Sequence, residues 1–216
     1  QVWHRARSSS WAVGVVGSSA IRVALGMGAD VTVLDRSVNR LGELDEQYRG
    51  QLRTVYSTAE ALEVHAREAD LIIGAVLIPG ASAPKLVTAK MLADFKPGTV
   101  MVDVAIDQGG CFETSRSTTH ADPTYVVDGV VHYCVANMPG AVARTATMAL
   151  TNATLPYIMR LASDEAGSLL LEDRHLAGGL NIVHGQLTHR AVADALGQTW
   201  TEPCQILRTS LHLKSA

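Results

Sequence analysis

Between residues 12 and 138, short apolar runs rich in β-branched residues alternate with stretches of helical length. This alternation constrains the fold more than any other feature of the chain. The runs are Val31–Leu34, Leu52–Tyr56, Leu71–Val76, Val100–Ala105 and Val130–Ala136. Such runs suit strands covered on both faces. Helices are predicted over Val15–Met27, Val38–Tyr48 and Ala59–Glu68, with a turn or two around Thr88–Leu92. Gly26-Met27-Gly28 supplies the stop for the first of them. Repeated strand–helix–strand units joined by right-handed crossovers give parallel strands. The expected fold is therefore α/β, a doubly wound parallel sheet.

After residue 139 the pattern turns helical. Ala143–Ala162 reads as a long helix interrupted only by Pro156, followed by helical stretches at Leu169–His175 and Leu187–Leu196. No strand of comparable quality is expected there, and Ser210–Ala216 reads as a frayed tail. The expected division is residues 1–142 as one domain and residues 143–216 as helices that would complete a second.

Composition narrows the function classes. A formal charge of −3 without a Lys/Arg run gives no reason to expect a nucleic-acid partner. No stretch approaches the ~20 apolar residues that span a bilayer. The first ten residues lack the apolar core of a secretory signal. Cys111, Cys134 and Cys204 are too few and scattered for a disulfide framework or a zinc site, so no metal is expected. A reducing, cytoplasmic location follows.

In a Rossmann unit the first strand ends in a glycine-rich turn, and the next helix presents its N-terminus to a pyrophosphate. Here that turn reads Ala12-Val13-Gly14-Val15-Val16-Gly17, with the second and third glycines present and Ala12 at the first position. Alone this is a weak match. It gains weight from Asp35, which ends the strand Val31–Leu34 about 20 residues on, where an acid accepts ribose hydroxyls and repels a 2′-phosphate. NAD is therefore preferred to NADP; the competing reading of Asp35 is a helix cap or a solvated turn. Other strand ends carry Ser57, then Val76-Leu77, then Val104-Ala105-Ile106-Asp107, then Val135-Ala136-Asn137-Met138. Val76 and Leu77 serve equally well as core. Asp107 precedes Gln108-Gly109-Gly110, where the backbone can turn sharply against a ligand, although a simple turn Asp fits too.

The runs GMGADVTVLD, GAVLIPGASAPKLV, VDVAIDQGGCFETSR, YCVANMPGAV and ALTNATLPY, in this order and spacing, together resemble L-alanine dehydrogenase from Gly14 to about Pro203. The proton-translocating transhydrogenase has a similar nucleotide domain but usually lacks the IDQGG acid, so Asp107 favours the dehydrogenase. The resemblance implies reversible oxidative deamination of L-alanine to pyruvate and ammonium with NAD, carried out by a homo-oligomer that is a hexamer in the family. It makes Asp107 catalytic. It places cofactor contacts at Val15, Val16, Asp35, Arg40, Ser57, Val76, Leu77, Val104 to Asp107, Arg116 and Val135 to Met138, beside Gly14 and Gly17 of the turn.

It also implies what to look for elsewhere. The family's substrate-binding Arg and Lys and its catalytic His lie in a part preceding the nucleotide domain, and no His here matches that motif. The expected identity is thus a fragment of the dehydrogenase; an NAD-binding module without turnover, or the inactive product of a damaged gene, are the alternatives. Arg7-Ser8-Ser9-Ser10-Trp11-Ala12-Val13 stands where the family has a valine-rich strand. Three serines are a poor inner strand for a two-sided sheet, and an out-of-frame reading of residues 1–13 would account for them.

Overall fold

The computed structural model describes residues 6–11, 14–76, 83–163 and 166–214, which divide into two compact units, the first ending at Met138 and the second running on from Pro139. The first unit holds β1 (Arg7–Trp11), α1 (Val15–Gly26), β2 (Asp30–Asp35), α2 (Val38–Tyr48), β3 (Arg53–Tyr56), α3 (Ala59–Glu68), β4 (Leu71–Gly74), β5 (Val100–Asp103), β6 (Thr124–Val127) and β7 (Val130–Tyr133). They form a seven-stranded sheet of order β3-β2-β1-β4-β5-β7-β6. Every neighbouring pair is parallel except β6–β7.

Alternation along β2 explains why the sheet is covered twice. Val31 and Val33 point to one face, where they pack with Ile21 of α1 and Leu41 and Leu44 of α2. Leu34 points to the other and joins Leu62 and Ala66 of α3, Ile72 of β4, Met101 of β5 and Phe112. Ser37 and Thr58 cap α2 and α3 by accepting the N–H groups of Arg40 and Ala61. Gly28, at φ +80°, carries the chain out of α1.

Two expectations are corrected in this unit. The serine-rich segment does form the inner strand: Ser8 pairs in parallel with both Val31 and Leu71 and is buried. Ladder hydrogen bonds are made by the backbone and do not require apolar side chains. The start of the strand is also pinned, since the Arg7 N–H donates to Asp70 Oδ2 at 2.8 Å and the Asp70 N–H to the Arg7 carbonyl at 2.8 Å. Lys96 lies 3.0 Å from the same Asp70 carboxylate. These contacts, the Arg7 N–H first among them, hold the Asp70 pKa below its ordinary value. The second correction is β6, an antiparallel edge strand absent from the expected parallel set. Its hairpin to β7 turns at Asp128-Gly129, with φ of 49° and 79°, the two left-handed positions of a type I′ turn.

The second unit contains α4 (Ala143–Leu161), α5 (Ala166–Glu172), α6 (Arg174–Ala177), β8 (Ile182–Val183), β9 (Gln186–Leu187), α7 (Arg190–Leu196) and α8 (Pro203–Lys214). α4 runs through Pro156 and buries none of its residues; Met148, Leu150, Tyr157, Ile158 and Met159 are exposed. The expected helix Leu169–His175 is broken at Asp173, whose side chain caps α6 by accepting from the His175 and Leu176 N–H groups. The short hairpin β8–β9 stands where no strand was expected and takes Leu187 from the predicted helix. The expected frayed tail is helical as far as Lys214. No helix among the described residues is long and apolar enough to cross a membrane.

Candidate functional site

The carboxyl ends of the parallel strands gather most of the candidate residues along one edge of the first unit. Trp11 of β1 pairs with Leu34 on one side and Gly74 on the other. Chain order reverses between β1 and β4, which is where an open α/β sheet forms its ligand crevice. Asp35 is the last residue of β2, next to β1. Its Oδ1 accepts the Ser37 N–H at 2.8 Å, and its carbonyl accepts the Ser57 N–H at 2.9 Å, so the two candidates sit on adjacent strand ends.

The N-terminus of α1 opens on the same edge. Gly14 is its N-cap and offers no side-chain cap to the first turn. The N–H groups of that turn have no intrahelical carbonyl within reach. Val15 is 87% exposed and Val16 is half-exposed, whereas Gly17 is buried. A buried glycine one turn in lets the helix pack closely on the sheet. The Gly14 carbonyl accepts from Ser18 Oγ at 2.9 Å. Arg40 reaches back from α2, donating from Nη2 to Ser18 Oγ at 2.7 Å and from Nη1 to Glu43 at 2.7 Å. Ala12 and Leu77 lie outside the described residues; Val76 follows β4 and is half-buried.

Past β5 the chain makes a tight turn. Val104 and Ala105 lead into a single 3-10 turn, Ile106–Gln108, with Ile106 buried and Asp107 exposed. What holds this turn is Asp103, a fully buried residue that the sequence reading passed over. Its Oδ1 accepts from the Ala105 N–H at 3.1 Å and Cys111 Sγ at 3.3 Å. Its Oδ2 accepts from the N–H groups of Cys111 (2.9 Å) and Phe112 (3.3 Å) and from Ser115 Oγ at 2.5 Å. A buried carboxylate is tolerated only when so bonded. The polar residue inside the apolar run VMVDVA was the signal that could have revealed it. Lys85 clamps the turn from outside, donating to the carbonyls of Gly109 and Gly110 at 2.5 and 2.8 Å. Burial, and then the Asp103 carboxylate, push the Cys111 thiol well above its ordinary pKa, so it acts as a donor and not as a thiolate nucleophile.

Gly74 is the close approach that lets this turn sit against the sheet. A Cβ there would overlap Cys111 Sγ and lie 2.7 Å from Phe112 Cζ, both on fully buried side chains. Gly74→Ala is expected to cost about 1–3 kcal/mol by overpacking. Urea denaturation measures it, and an unmoved midpoint would show that Cys111 and Phe112 can yield.

Beyond β7 the chain continues through Val135, buried and bridged to Thr118, into the exposed turn Ala136-Asn137; Met138 begins a further 3-10 turn. His120 Nε2 donates to the Asn137 carbonyl at 2.6 Å. Arg116 sits with its Cζ 4.0 Å from the centroid of the Tyr125 ring. His132 is buried, donating from Nδ1 to the Val130 carbonyl at 3.0 Å, with Nε2 2.8 Å from Thr114 Oγ1; burial holds its pKa below the usual histidine value. Both of its ring nitrogens are therefore engaged within the fold. Among the described residues no cluster of His, Cys, Asp and Glu could hold a metal ion.

Residues 6–190 match the family described as alanine dehydrogenase/PNT, C-terminal domain. An alanine dehydrogenase of Halomonas elongata is 64% identical over 194 residues, 90% of this chain and 52% of that protein. One of Mycolicibacterium smegmatis is 52% identical over the same shares of each chain. A solved L-alanine dehydrogenase superposes with a TM-score of 0.79 at 46% identity, covering 89% of this chain and 53% of the other. A transhydrogenase from Sinorhizobium meliloti gives 0.67 at 26% identity, over 86% and 50%. The chain thus spans about half the length of the relatives it matches.

Proposed function

The chain belongs to the alanine dehydrogenase/PNT C-terminal domain family, and from that premise we propose that it is the cofactor-binding part of an NAD-dependent L-alanine dehydrogenase. The observation that carries the proposal is that Asp35 ends β2 and α1 begins just after β1, two neighbouring parallel strands, so both stand at the same carboxyl edge of the sheet. These groups fit a dinucleotide: first-turn N–H groups for the pyrophosphate and a carboxylate acceptor for ribose hydroxyls. Ser57 and the strand-end residues Val76, Val104 to Asp107 and Val135 to Met138 complete the contact surface, with Arg40 and Arg116 as cations beside it. Bound NAD supplies the hydride acceptor for deamination of L-alanine to pyruvate and ammonium. Asp107, exposed at the end of the Asp103-held turn, is assigned the transfer of a proton as the imine derived from alanine is hydrolysed.

The carboxylate of alanine needs charge-assisted partners that this reading assigns to the remaining half of the family's length. Turnover is accordingly proposed for the complete assembly, a homo-oligomer in the cytoplasm, and cofactor binding for this chain. The three free cysteines fit that compartment.

Titration with NADH, followed by its fluorescence, tests the reading. Asp35→Ala is expected to weaken NADH binding by about 10-fold or more, the scale of hydrogen bonds to a charged group. It should also narrow the preference over NADPH, because the carboxylate no longer repels a 2′-phosphate. Equal NADH affinity in the two proteins would remove Asp35 from the site.

A further inference from the structure

The hairpin β6–β7 carries an aromatic arrangement that the cofactor reading does not use. Tyr125 of β6 stacks on His132 of β7 with ring centroids 4.9 Å apart and planes inclined by 19°. The Arg116 guanidinium lies 4.0 Å from the Tyr125 centroid. The phenol oxygen accepts the Arg116 N–H at 2.8 Å and donates to the Thr114 carbonyl at 2.9 Å. His132 Nε2 meets Thr114 Oγ1, and Ser115 Oγ donates to Asp103. Three consecutive residues, Thr114, Ser115 and Arg116, are therefore held from behind, the first and third by the hairpin and the second by the turn that bears Asp107.

We propose that Tyr125, backed by His132, is a positioning residue that fixes the Arg116 guanidinium for an anionic dinucleotide. This rests on the reading of Arg116 as a cofactor contact. Arg116 is exposed, and an exposed arginine samples many rotamers; each one that must be frozen on binding weakens affinity. The ring face attracts the cation, and the phenol oxygen fixes the backbone from which it springs. His132 sets the ring's tilt, because both of its nitrogens have hydrogen-bond partners and its own ring is buried. The cation is thus placed before the ligand arrives.

A double-mutant cycle on the full chain tests this, with NADH as the probe. Tyr125→Leu is expected to weaken NADH binding about 3- to 5-fold, the scale of an exposed cation–π contact. In the Arg116→Gln background the same change should have almost no effect. Tyr125→Phe keeps the ring and should recover most of the loss. The Arg116 side-chain protons should show an upfield ring-current shift in the unaltered protein and in Tyr125→Phe, and lose it in Tyr125→Leu. An equal loss of affinity in both backgrounds would make Tyr125 merely structural and overturn the proposal, as would an unchanged affinity in Tyr125→Leu. Failure of the unaltered protein to bind NADH removes the cofactor reading and this role with it, whereas NADH binding without coupling removes this role alone.

Discussion

Asp103→Asn is expected to destabilise the first unit by about 3 kcal/mol, because the buried donors around the carboxylate lose an acceptor they cannot replace. For a chain of this size that is a fall of roughly 6–12 °C in melting temperature. The reason lies in the arrangement of donors. Oδ1 faces the Ala105 N–H and the Cys111 thiol, and Oδ2 faces the Cys111 and Phe112 N–H groups and the Ser115 hydroxyl. Every partner donates. An asparagine amide must turn its NH2 group toward one set or the other, so donors confront donors whichever way it sits. Thermal denaturation followed by circular dichroism reads the effect. A midpoint within a degree of the unaltered protein would mean that water or a rearranged loop satisfies the same donors.

Asp107→Asn should do the opposite. The residue is exposed and makes no part of the buried network, so stability should change by less than about 0.5 kcal/mol. Under the proposed assignment, turnover should nevertheless fall by about 10²- to 10⁴-fold, the range for a lost general acid or base. The assay is NADH production from L-alanine by this chain completed with the rest of the family's length. Its affinity for NADH, measured separately, should stay within about 2-fold, since an amide of the same shape fills the same space. A variant that turns over at the unaltered rate would strip Asp107 of its role. The contrast between these carboxylates, four residues apart, separates holding the turn from acting at its tip.

Much of the sheet was legible because its strands are short and apolar and its helices carry caps. Val31–Leu34 becomes a strand and Val38–Tyr48 a helix because local pattern and tertiary burial agree there. Three strands end earlier than their apolar runs. Leu71–Val76, Val100–Ala105 and Val130–Ala136 leave the ladder at Gly74, Asp103 and Tyr133, and the residues beyond become the candidate crevice. Apolarity marks burial and does not distinguish a paired strand from a loop covered by its neighbours.

The edge strand β6 was not expected although its Asp128-Gly129 turn is a strong hairpin signal; as an edge strand with Thr124 and Val126 exposed, it lacks the continuous buried apolar run of the inner strands. Asp103 escaped for a different reason. A lone acid in an apolar run discloses that it must be satisfied, but its donors come from residues 105–115 and converge only when the chain folds back. The place of Asp35 at the end of β2 was legible from spacing and strand pattern together, because it depends on one strand–helix–strand unit.

The serine-bearing strand β1 has a consequence for how the first unit assembles. Among the described residues it is the one strand joining β2 and β3 to β4 and the strands beyond. The sheet separates two apolar clusters, one on the face covered by α1 and α2 and the other on the face covered by α3, and Leu34 of β2 belongs to the second. The first draws on Ile21 to Leu52, near in sequence, where contacts close quickly, whereas the second gathers residues from Leu34 to Val130. Pairing β1 with β4 closes the chain over three intervening helices and two strands, with loop-closure entropy to overcome before the ladder forms. The proposed crevice, which opens between β1 and β4, therefore depends on this long-range pairing rather than on any local segment.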